Sequence, residues 1–252
     1  MTLLSERYKN MKNNDRCFLT GCDSKTEWQL PWFIENLRKH SSVDLVIADF
    51  GMSDEMVSFA SMSSSHLIVL RPWMTEQKYP LRSLEFKGSL NSQTSEARNL
   101  KGWMKKPLAM TQSPCKKTVW LDTDCHVKGD IDGIFDLIRD NMLLMAEDKP
   151  WSTRRGEKWH NSGVVGFSGT PRVLSDWSQK CMEMDIDGDQ EVLHWMMGGD
   201  DLRRIRFIED LPRKYNTLRL DALDNTQPND IRIMHWTGAK GNDEIRKMIR
   251  NA

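Results

Sequence analysis

The stretch TVWLDTDCHV (residues 118–127) combines a short apolar run with two aspartates that follow it directly. The run at 118–121 predicts a buried β-strand, so Asp122 and Asp124 stand at the carboxyl end of that strand. Residues two apart on an extended chain point the same way, and the two carboxylates therefore face the same space. The sequence predicts an acidic site at one edge of a sheet.

A divalent cation is the natural partner of this carboxylate pair. Two carboxylates about 5 Å apart repel each other by a few kcal/mol at an effective dielectric constant of about 20, and a cation relieves that repulsion. Ligands that are all oxygen favour Mg²⁺ or Mn²⁺. In the alternative interpretation, the Asp-x-Asp spacing arises by chance and one aspartate only caps the next turn. The position at the end of a buried strand favours the metal site.

Other apolar runs predict the rest of the sheet. Near-continuous apolar character is typical of strands buried on both faces of a parallel sheet. The predicted strands cover residues 17–22, 44–50, 66–70, 118–121, 141–147, 162–169, 204–211 and 230–236. The predicted helices cover residues 23–40, 95–110, 171–184 and 189–197. This alternation predicts an α/β fold with an open, mostly parallel sheet flanked by helices, in which ligands bind at the carboxyl ends of the strands.

The start of the first helix has two interpretations. Ser24 and Glu27 have the spacing of a capping box, whereas Pro31 is typical of the first turn itself. Both interpretations place a helix directly after the first strand. The end of that strand, at residues 20–23, is therefore expected at the ligand-binding edge of the sheet.

The amino-acid composition limits the kinds of molecule and the cellular environment that we expect for this chain. The chain has 252 residues, and its 36 Lys+Arg balance its 36 Asp+Glu, which argues against nucleic acid or an anionic membrane surface as the main partner. No apolar run approaches the roughly 18 residues that cross a bilayer, so we expect no membrane span and a cytoplasmic protein. The five cysteines follow no metal-ligand spacing and are expected to be free thiols in a reducing compartment. We expect one domain over residues 1–252.

Four segments carry a resemblance to a known family. LDTDCHVKGDIDGIF (121–135) resembles the Asp-x-Asp segment of the GT-A glycosyltransferases of family 8, with a helix start at 130–135. NSGVVGF (161–167), GDQEVLHWM (188–196) and IMHWTGAKG (233–241) are similar to three later family motifs, in the same order. The matches span about half of the chain.

The resemblance implies a fold and an activity. It implies a GT-A-like, Rossmann-like sheet, with a nucleotide-binding half at about 15–127 and an acceptor and sugar half at about 128–252. The implied reaction moves a hexose from a nucleotide diphosphate sugar, UDP-glucose or UDP-galactose, to a carbohydrate or other hydroxyl acceptor with retention. Mn²⁺ or Mg²⁺ is the implied cofactor. The expected absence of a membrane anchor favours a bacterial or viral enzyme over a Golgi enzyme.

The resemblance also implies roles for individual residues. For the metal it implies Asp122, Asp124 and His235. Near the transferred sugar it implies Asn161, Asp189 and Gln190. For the donor it implies Asp122, Thr123, Gly238, Lys240 and Lys106, or Lys105 in place of Lys106. The family usually places its lysine three residues after the glycine, whereas Lys240 comes two after Gly238 and is followed by Gly241.

The remaining site predictions come from fold logic. Thr20, Gly21, Cys22 and Asp23 end the first strand, where a nucleobase and ribose dock in such folds. Asp23 is equally suited to capping the next helix. Each lysine named above has a second interpretation as a solvated surface charge, and Asp189 and Gln190 as an ordinary helix start. The segments 71–93 and 151–161 are candidates for shaping the acceptor site.

A haloacid-dehalogenase-like phosphatase is the alternative enzyme class, because it too places Asp-x-Asp after a buried strand. The sequence GDD at 199–201 resembles its late acidic motif. The pair at 122–124 lies far from the start of the chain, and the late motif follows a helical pattern, so the transferase is favoured. A non-catalytic module that binds nucleotide or sugar is the second alternative.

Overall fold

The structure is a computed structural model that describes residues 15–69, 102–184, 186, 188–199 and 201–251. The strands in these ranges are β1 Arg16–Cys22, β2 Leu45–Asp49, β3 His66–Val69, β4 Lys117–Leu121, β5 Cys125–Val127, β6 Leu143–Glu147, β7 His160–Ser168, β8 Ile208–Asp210, β9 Thr217–Leu218 and β10 Ile233–His235. The α-helices are α1 Leu30–Arg38, α2 Asp54–Ser63, α3 Gly102–Thr111, α4 Ile134–Leu137, α5 Lys149–Arg155, α6 Arg172–Glu183, α7 Asp189–Met197, α8 Asp201–Phe207, α9 Arg219–Leu223 and α10 Gly238–Arg250.

Seven strands form the central sheet in the order β3-β2-β1-β4-β7-β6-β8. Strand β1 pairs in parallel with β2 and β4, β2 with β3, and β6 with β8, while β7 runs antiparallel between β4 and β6. A second sheet of three strands has the order β5-β10-β9. The predicted α/β fold with a mostly parallel sheet is confirmed.

Both faces of the central sheet are covered, which explains the continuous apolar runs. Neighbouring side chains of β1 point to opposite faces, so Leu19 packs in one core cluster with α3, α6 and α7. Phe18 packs in the other cluster with α1. A strand with two buried faces has no solvent side, and its sequence loses the alternation of a half-exposed strand.

Two local predictions need correction. The predicted strand at 204–211 is a helix through Phe207 followed by the short strand β8. The helix buries Arg204, whose guanidinium donates to the Lys158 carbonyl, and leaves Ile205 exposed. The capping-box start of the first helix is also wrong. A 3-10 turn at Glu27–Gln29 leads into α1, and Pro31 occupies its first turn.

Two of the five cysteines are not the free thiols that the sequence predicts. Cys17 and Cys115 form a disulfide, with Cα atoms 6.0 Å apart, whereas Cys22, Cys125 and Cys181 are free and buried. Cys17 lies on β1, and Cys115 lies just before the neighbouring strand β4. The pairing of these strands brings together residues that are 98 positions apart, which sequence spacing does not reveal.

Among the helices that the structure describes, none has the length and apolar character that a membrane crossing requires.

Some of the sequence predictions fall on residues outside the described ranges. The candidate acceptor segment 71–93, the first part of the predicted helix at 95–110 and residue 200 of the late acidic motif lie outside the described residues. Asp201 begins α8 and pairs with Arg204 of the same helix.

Candidate active site

The backbone brings the predicted metal ligands together from distant parts of the chain. Asp122 follows β4, and its backbone N–H donates to Gly163 of the adjacent strand β7 at 2.8 Å. Asp124 leads into β5, which pairs antiparallel with β10 so that Cys125 lies opposite His235. The Trp236 N–H donates to the carbonyl of Asp124 at 3.0 Å. The small sheet therefore places the histidine beside the Asp-x-Asp turn.

The His235 ring and the Asp124 carboxylate form the centre of the site. His235 Nε2 lies 3.0 Å from Asp124 Oδ1 and 3.7 Å from Asp122 Oδ2. Burial lowers the pKa of His235, but the charges of Asp124 and Asp122 outweigh burial and raise this pKa overall. Asp124 Oδ1 is buried, and apart from its 3.0 Å contact with His235 Nε2 it has no hydrogen-bond partner in the described part of the chain.

This donor set fits a divalent cation. Asp124, Cys125 and His235 each offer an atom, and these atoms lie within 4.8 Å of one another. Burial raises the pKa of Cys125 well above its usual range, and its thiol faces the Gly163 carbonyl at 3.7 Å. The carboxylate oxygen of Asp124 is a donor that suits Mn²⁺ or Mg²⁺, and the imidazole of His235 adds a nitrogen donor beside it.

Lys106 is a buried lysine and not a surface charge. Its side chain is 2% exposed, and Nζ lies 3.0 Å from Asp122 Oδ1 and 3.2 Å from Asp189 Oδ2. Nζ also donates to the carbonyl and hydroxyl of Ser162, both at 3.1 Å. Burial lowers the pKa of Lys106, but the two carboxylates outweigh it and raise this pKa overall. Lys105 is half-buried and donates to the Phe50 carbonyl at 2.6 Å.

The three residues predicted near the sugar are in contact or share partners. Asn161 Nδ2 donates to Gln190 Oε1 at 3.0 Å, and both residues lie against Asp148. Asp189 precedes Gln190 at the start of α7 and pairs with Lys106. Burial raises the pKa of Asp189, and the Lys106 charge opposes that rise.

Three polar residues of this cluster were missed in the sequence. Asp148 accepts from Gln190 Nε2 at 3.2 Å and also caps α5 by accepting from the Trp151 N–H. Asn216 is fully buried and contacts both Asn161 and His235. Gln29 lies beneath the Asp-x-Asp turn. A polar residue before a helix was the available signal for Asp148, whereas Asn216 and Gln29 belong to segments with no distinguishing pattern.

Thr123, between the two aspartates, faces the protein interior. Its hydroxyl donates to Gln29 Oε1 at 2.7 Å, and Gln29 Nε2 donates to Asn242 of α10 at 2.7 Å. The Asp-x-Asp turn is thus tied through Gln29 to the last helix. The predicted contact of Thr123 with the donor stays a prediction, and its hydroxyl already has a protein partner.

The end of β1 lies at the same edge of the sheet, since β1 and β4 are parallel neighbours. Thr20 and Cys22 are buried, and a Cβ on Gly21 would lie 2.8 Å from the Ala48 carbonyl. Asp23 Oδ1 accepts hydrogen bonds from the N–H groups of Lys25 and Thr26. Asp23 therefore closes a turn before the first helix and is not its cap residue, because Thr26 and Gln29 hold the N-cap positions of the 3-10 turn and of α1. Donor contacts of these four residues stay predictions.

Gly238 and Lys240 lie in the first turn of α10, directly after His235. Gly238 has φ of 75°, which favours glycine, and Lys240 is exposed. Gly241 permits the helix to approach β10 closely, because a Cβ there would lie 1.9 Å from the Trp236 carbonyl oxygen. The glycine that departs from the family pattern thus has a packing role.

Gly163 makes room for the ring of His235, and its replacement by alanine is expected to displace that ring. The new Cβ would lie 2.0 Å from His235 Cε1. We expect a loss of about 1–3 kcal/mol in the free energy of unfolding, as for other overpacked cores, measured by urea denaturation. Metal-dependent ligand binding, measured by calorimetry, should weaken with it.

Gly133→Ala is the matched control for this variant. Its Cβ would meet only Tyr215 Oη at 3.6 Å, so stability should stay near that of the wild type. A Gly163→Ala protein as stable as this control, with unchanged binding, would contradict the tight packing of His235 against β7.

Three solved structures that resemble this chain are glycosyltransferases. The galactosyltransferase LgtC, solved with donor and acceptor sugar analogs, matches with a TM-score of 0.59 and 13% identity over 93% of this chain and 95% of LgtC. The bifunctional glycosyltransferase WbbM matches with 0.62 and 12% over 95% of this chain and 50% of its own. The glycosyltransferase GlyE of Streptococcus pneumoniae matches with 0.56 and 19% over 90% and 55%.

These likenesses establish the fold. No family model and no curated protein matches the sequence. The chain spans about half the length of WbbM and of GlyE, and nearly all of LgtC. The predicted GT-A-like fold is confirmed.

Proposed function

We propose that the chain is a glycosyltransferase that moves a hexose from a nucleotide diphosphate sugar, UDP-glucose or UDP-galactose, to a hydroxyl acceptor. The observation that carries this proposal is the convergence of Asp122, Asp124 and His235 at the carboxyl end of β4, in a fold that solved glycosyltransferases share. Retention of anomeric configuration, implied by the family resemblance, is part of the proposal.

Asp124 and His235 would hold Mn²⁺ or Mg²⁺, with Asp122 beside them. A bound cation supplies Lewis-acid stabilisation of the negative charge that builds on the departing diphosphate. The local charge favours such a cation. Three carboxylates lie close together there, since Asp122 and Asp124 face the His235 ring and Asp122 and Asp189 share Lys106. One lysine does not balance the charge of three carboxylates.

The first turn of α10 supports binding of the diphosphate. The N–H groups at a helix start point outward and favour an anion, and Lys240 adds a positive charge in the same turn. Thr237 makes no side-chain cap among the described residues, so its hydroxyl does not occupy the first N–H groups of this helix. His235 ends the strand that precedes this turn, so a diphosphate bound at the turn would lie beside the proposed metal ligands.

The residues near the sugar are proposed to orient it. Gln190 is held at both ends of its amide, by Asn161 and Asp148, so its position is defined before substrate enters. Such preorganisation lowers the entropic cost of aligning the reacting atoms. Attack of the acceptor from the same face as the departing diphosphate needs no enzymic nucleophile, and Asp189 is already paired with Lys106.

Both proposed halves contribute to this site. Lys106, Asp122 and Asp124 come from the nucleotide-binding half at about 15–127, whereas Asn161, Gln190 and the histidine come from the second half. The acceptor is a carbohydrate or another hydroxyl compound. Segment 151–161, which includes most of α5 and leads into Asn161, is the described candidate for shaping its site.

A thermal-shift panel tests the proposed function. The protein is heated with uridine and adenosine diphosphates and their sugars, each with Mn²⁺, Mg²⁺ or a chelator. A ligand at 100 times its Kd adds about 2.7 kcal/mol to the stability of the folded chain, which raises Tm measurably. We expect stabilisation by a uridine diphosphate sugar only when metal is present. If no nucleotide stabilises the chain under any of these conditions, the transferase proposal is wrong.

A further inference from the structure

Two buried asparagines hold one ring nitrogen of His235. His235 Nδ1 lies 3.1 Å from Asn161 Oδ1 and 3.1 Å from Asn216 Oδ1. Asn161 lies on β7, and Asn216 follows the 3-10 turn at Arg213–Tyr215. The Asn216 side chain is fully buried, so its amide depends on these protein partners.

The orientations of both amides follow from their other partners. The Gly163 N–H donates to Asn161 Oδ1 at 2.9 Å, and a backbone N–H requires an acceptor, which assigns the oxygen. Asn161 Nδ2 then faces Gln190 Oε1, and Gln190 Nε2 faces a carboxylate of Asp148. Asn216 Nδ2 donates to Asn161 Oδ1 at 2.9 Å. Both atoms that face the histidine Nδ1 are therefore oxygens.

We propose that Asn216 is a positioning residue that, together with Asn161, keeps a proton on His235 Nδ1 and so aims the lone pair of Nε2 at the cation site. Two acceptors around Nδ1 require that this nitrogen donates. Metal-bound histidines generally donate their second ring nitrogen to such a partner, which fixes the ring and its tautomer. The inference rests on the proposed function, because it assigns Nε2 to the proposed metal.

The asparagines act against a competing hydrogen bond. Asp124 Oδ1 lies 3.0 Å from Nε2, and a carboxylate favours a proton on the nitrogen that faces it. A proton on Nε2 alone blocks the lone pair that a cation needs. Asn216 opposes that arrangement by accepting from Nδ1. Without it, the ring keeps only Asn161 Oδ1, which also accepts from the Gly163 N–H.

Three variants separate positioning from simple packing. Asn216→Leu removes the acceptor at similar size. Asn216→Asp keeps an acceptor for the Nδ1 proton, and its protonated carboxyl oxygen replaces the amide group that donates to Asn161 Oδ1. Thr217→Val is the matched control, because it removes a different buried hydrogen bond, from Thr217 to the Arg213 carbonyl at 3.0 Å, in the same segment. Circular dichroism and thermal melts check that each variant is folded.

The first readout is Mn²⁺ affinity, measured as free ion by electron paramagnetic resonance. Removal of such supporting partners typically weakens metal binding about 10- to 100-fold, and we expect this loss in Asn216→Leu. Asn216→Asp should bind Mn²⁺ within a few-fold of the wild type, as should Thr217→Val. Wild-type affinity in folded Asn216→Leu, or an equal loss in the leucine and aspartate variants, would overturn the proposal.

The second readout is nitrogen NMR of the histidine rings, with the signal of His235 identified by its absence in His235→Gln. In the wild type, without metal and with Mg²⁺, we expect a protected proton on Nδ1. A bare Nδ1 in the metal-free wild type overturns the inference. If the wild type does not bind Mn²⁺, the proposed metal site is wrong. The positioning role is still supported in that case if the Nδ1 proton is present in the wild type and is lost in Asn216→Leu.

Discussion

Replacement of Lys106 by methionine is expected to lower the free energy of unfolding by about 3–5 kcal/mol, which is typical when one partner of a buried ion pair is removed. Methionine keeps the length of the side chain and removes its charge. The Asp189 side chain, 7% exposed and 3.2 Å from the ammonium, would then be a buried carboxylate without its cation. Equilibrium unfolding in urea measures the change.

Lys105→Met provides the control for this effect. Lys105 belongs to the same helix and is half-buried, but its ammonium donates only to the Phe50 carbonyl among the hydrogen bonds of the described residues. Its loss should cost about 1 kcal/mol, as for an ordinary hydrogen bond. The double variant Lys106→Met with Asp189→Asn should recover part of the stability, because the uncompensated charge is removed. Equal stabilities for the two methionine variants would contradict the ion cluster.

The ligand edge of the sheet was predictable because it depends on a local pattern. Asp122 and Asp124 follow an apolar run directly, and a parallel sheet presents the ends of its strands at one edge. The helix start at Asp189 was also predictable, because acidic residues favour the first turn of a helix. These features require only the order of residues along one element.

The surroundings of the site were less predictable because they depend on contacts between distant segments. In the sequence, Lys106 was equally compatible with a surface position. Its burial depends on the carboxylates of Asp122 and Asp189, which lie 16 and 83 residues away along the chain. Asn216 ends a 3-10 turn, where asparagine is common for local reasons. The disulfide between Cys17 and Cys115 depends on the pairing of β1 with β4 in the same way.

Replacement of Asp124 by asparagine is expected to abolish metal-dependent donor binding while the fold is kept. Asparagine has nearly the same shape as aspartate but carries no charge. In the wild type, His235 Nε2 lies 3.0 Å from Asp124 Oδ1, so the amide of the variant can donate to the lone pair of that nitrogen. Loss of several kcal/mol of leaving-group stabilisation corresponds to a fall in turnover on the order of 10³-fold. Thermal shifts with donor and Mn²⁺, and transfer assays with a responsive acceptor, measure both effects.

Asp210→Asn is the matched control, because Asp210 also pairs with a histidine, at 3.1 Å from His160 Nε2, but is largely exposed. It should keep the full metal-dependent shift. The Asp124 charge also raises the pKa of His235, so Asp124→Asn frees the ring of a proton more readily. A loss of metal binding in that variant therefore reports the exchange of the carboxylate for an amide and not a protonated ring. Unchanged donor affinity and turnover in Asp124→Asn would show that the cation, if one binds, is held by other residues.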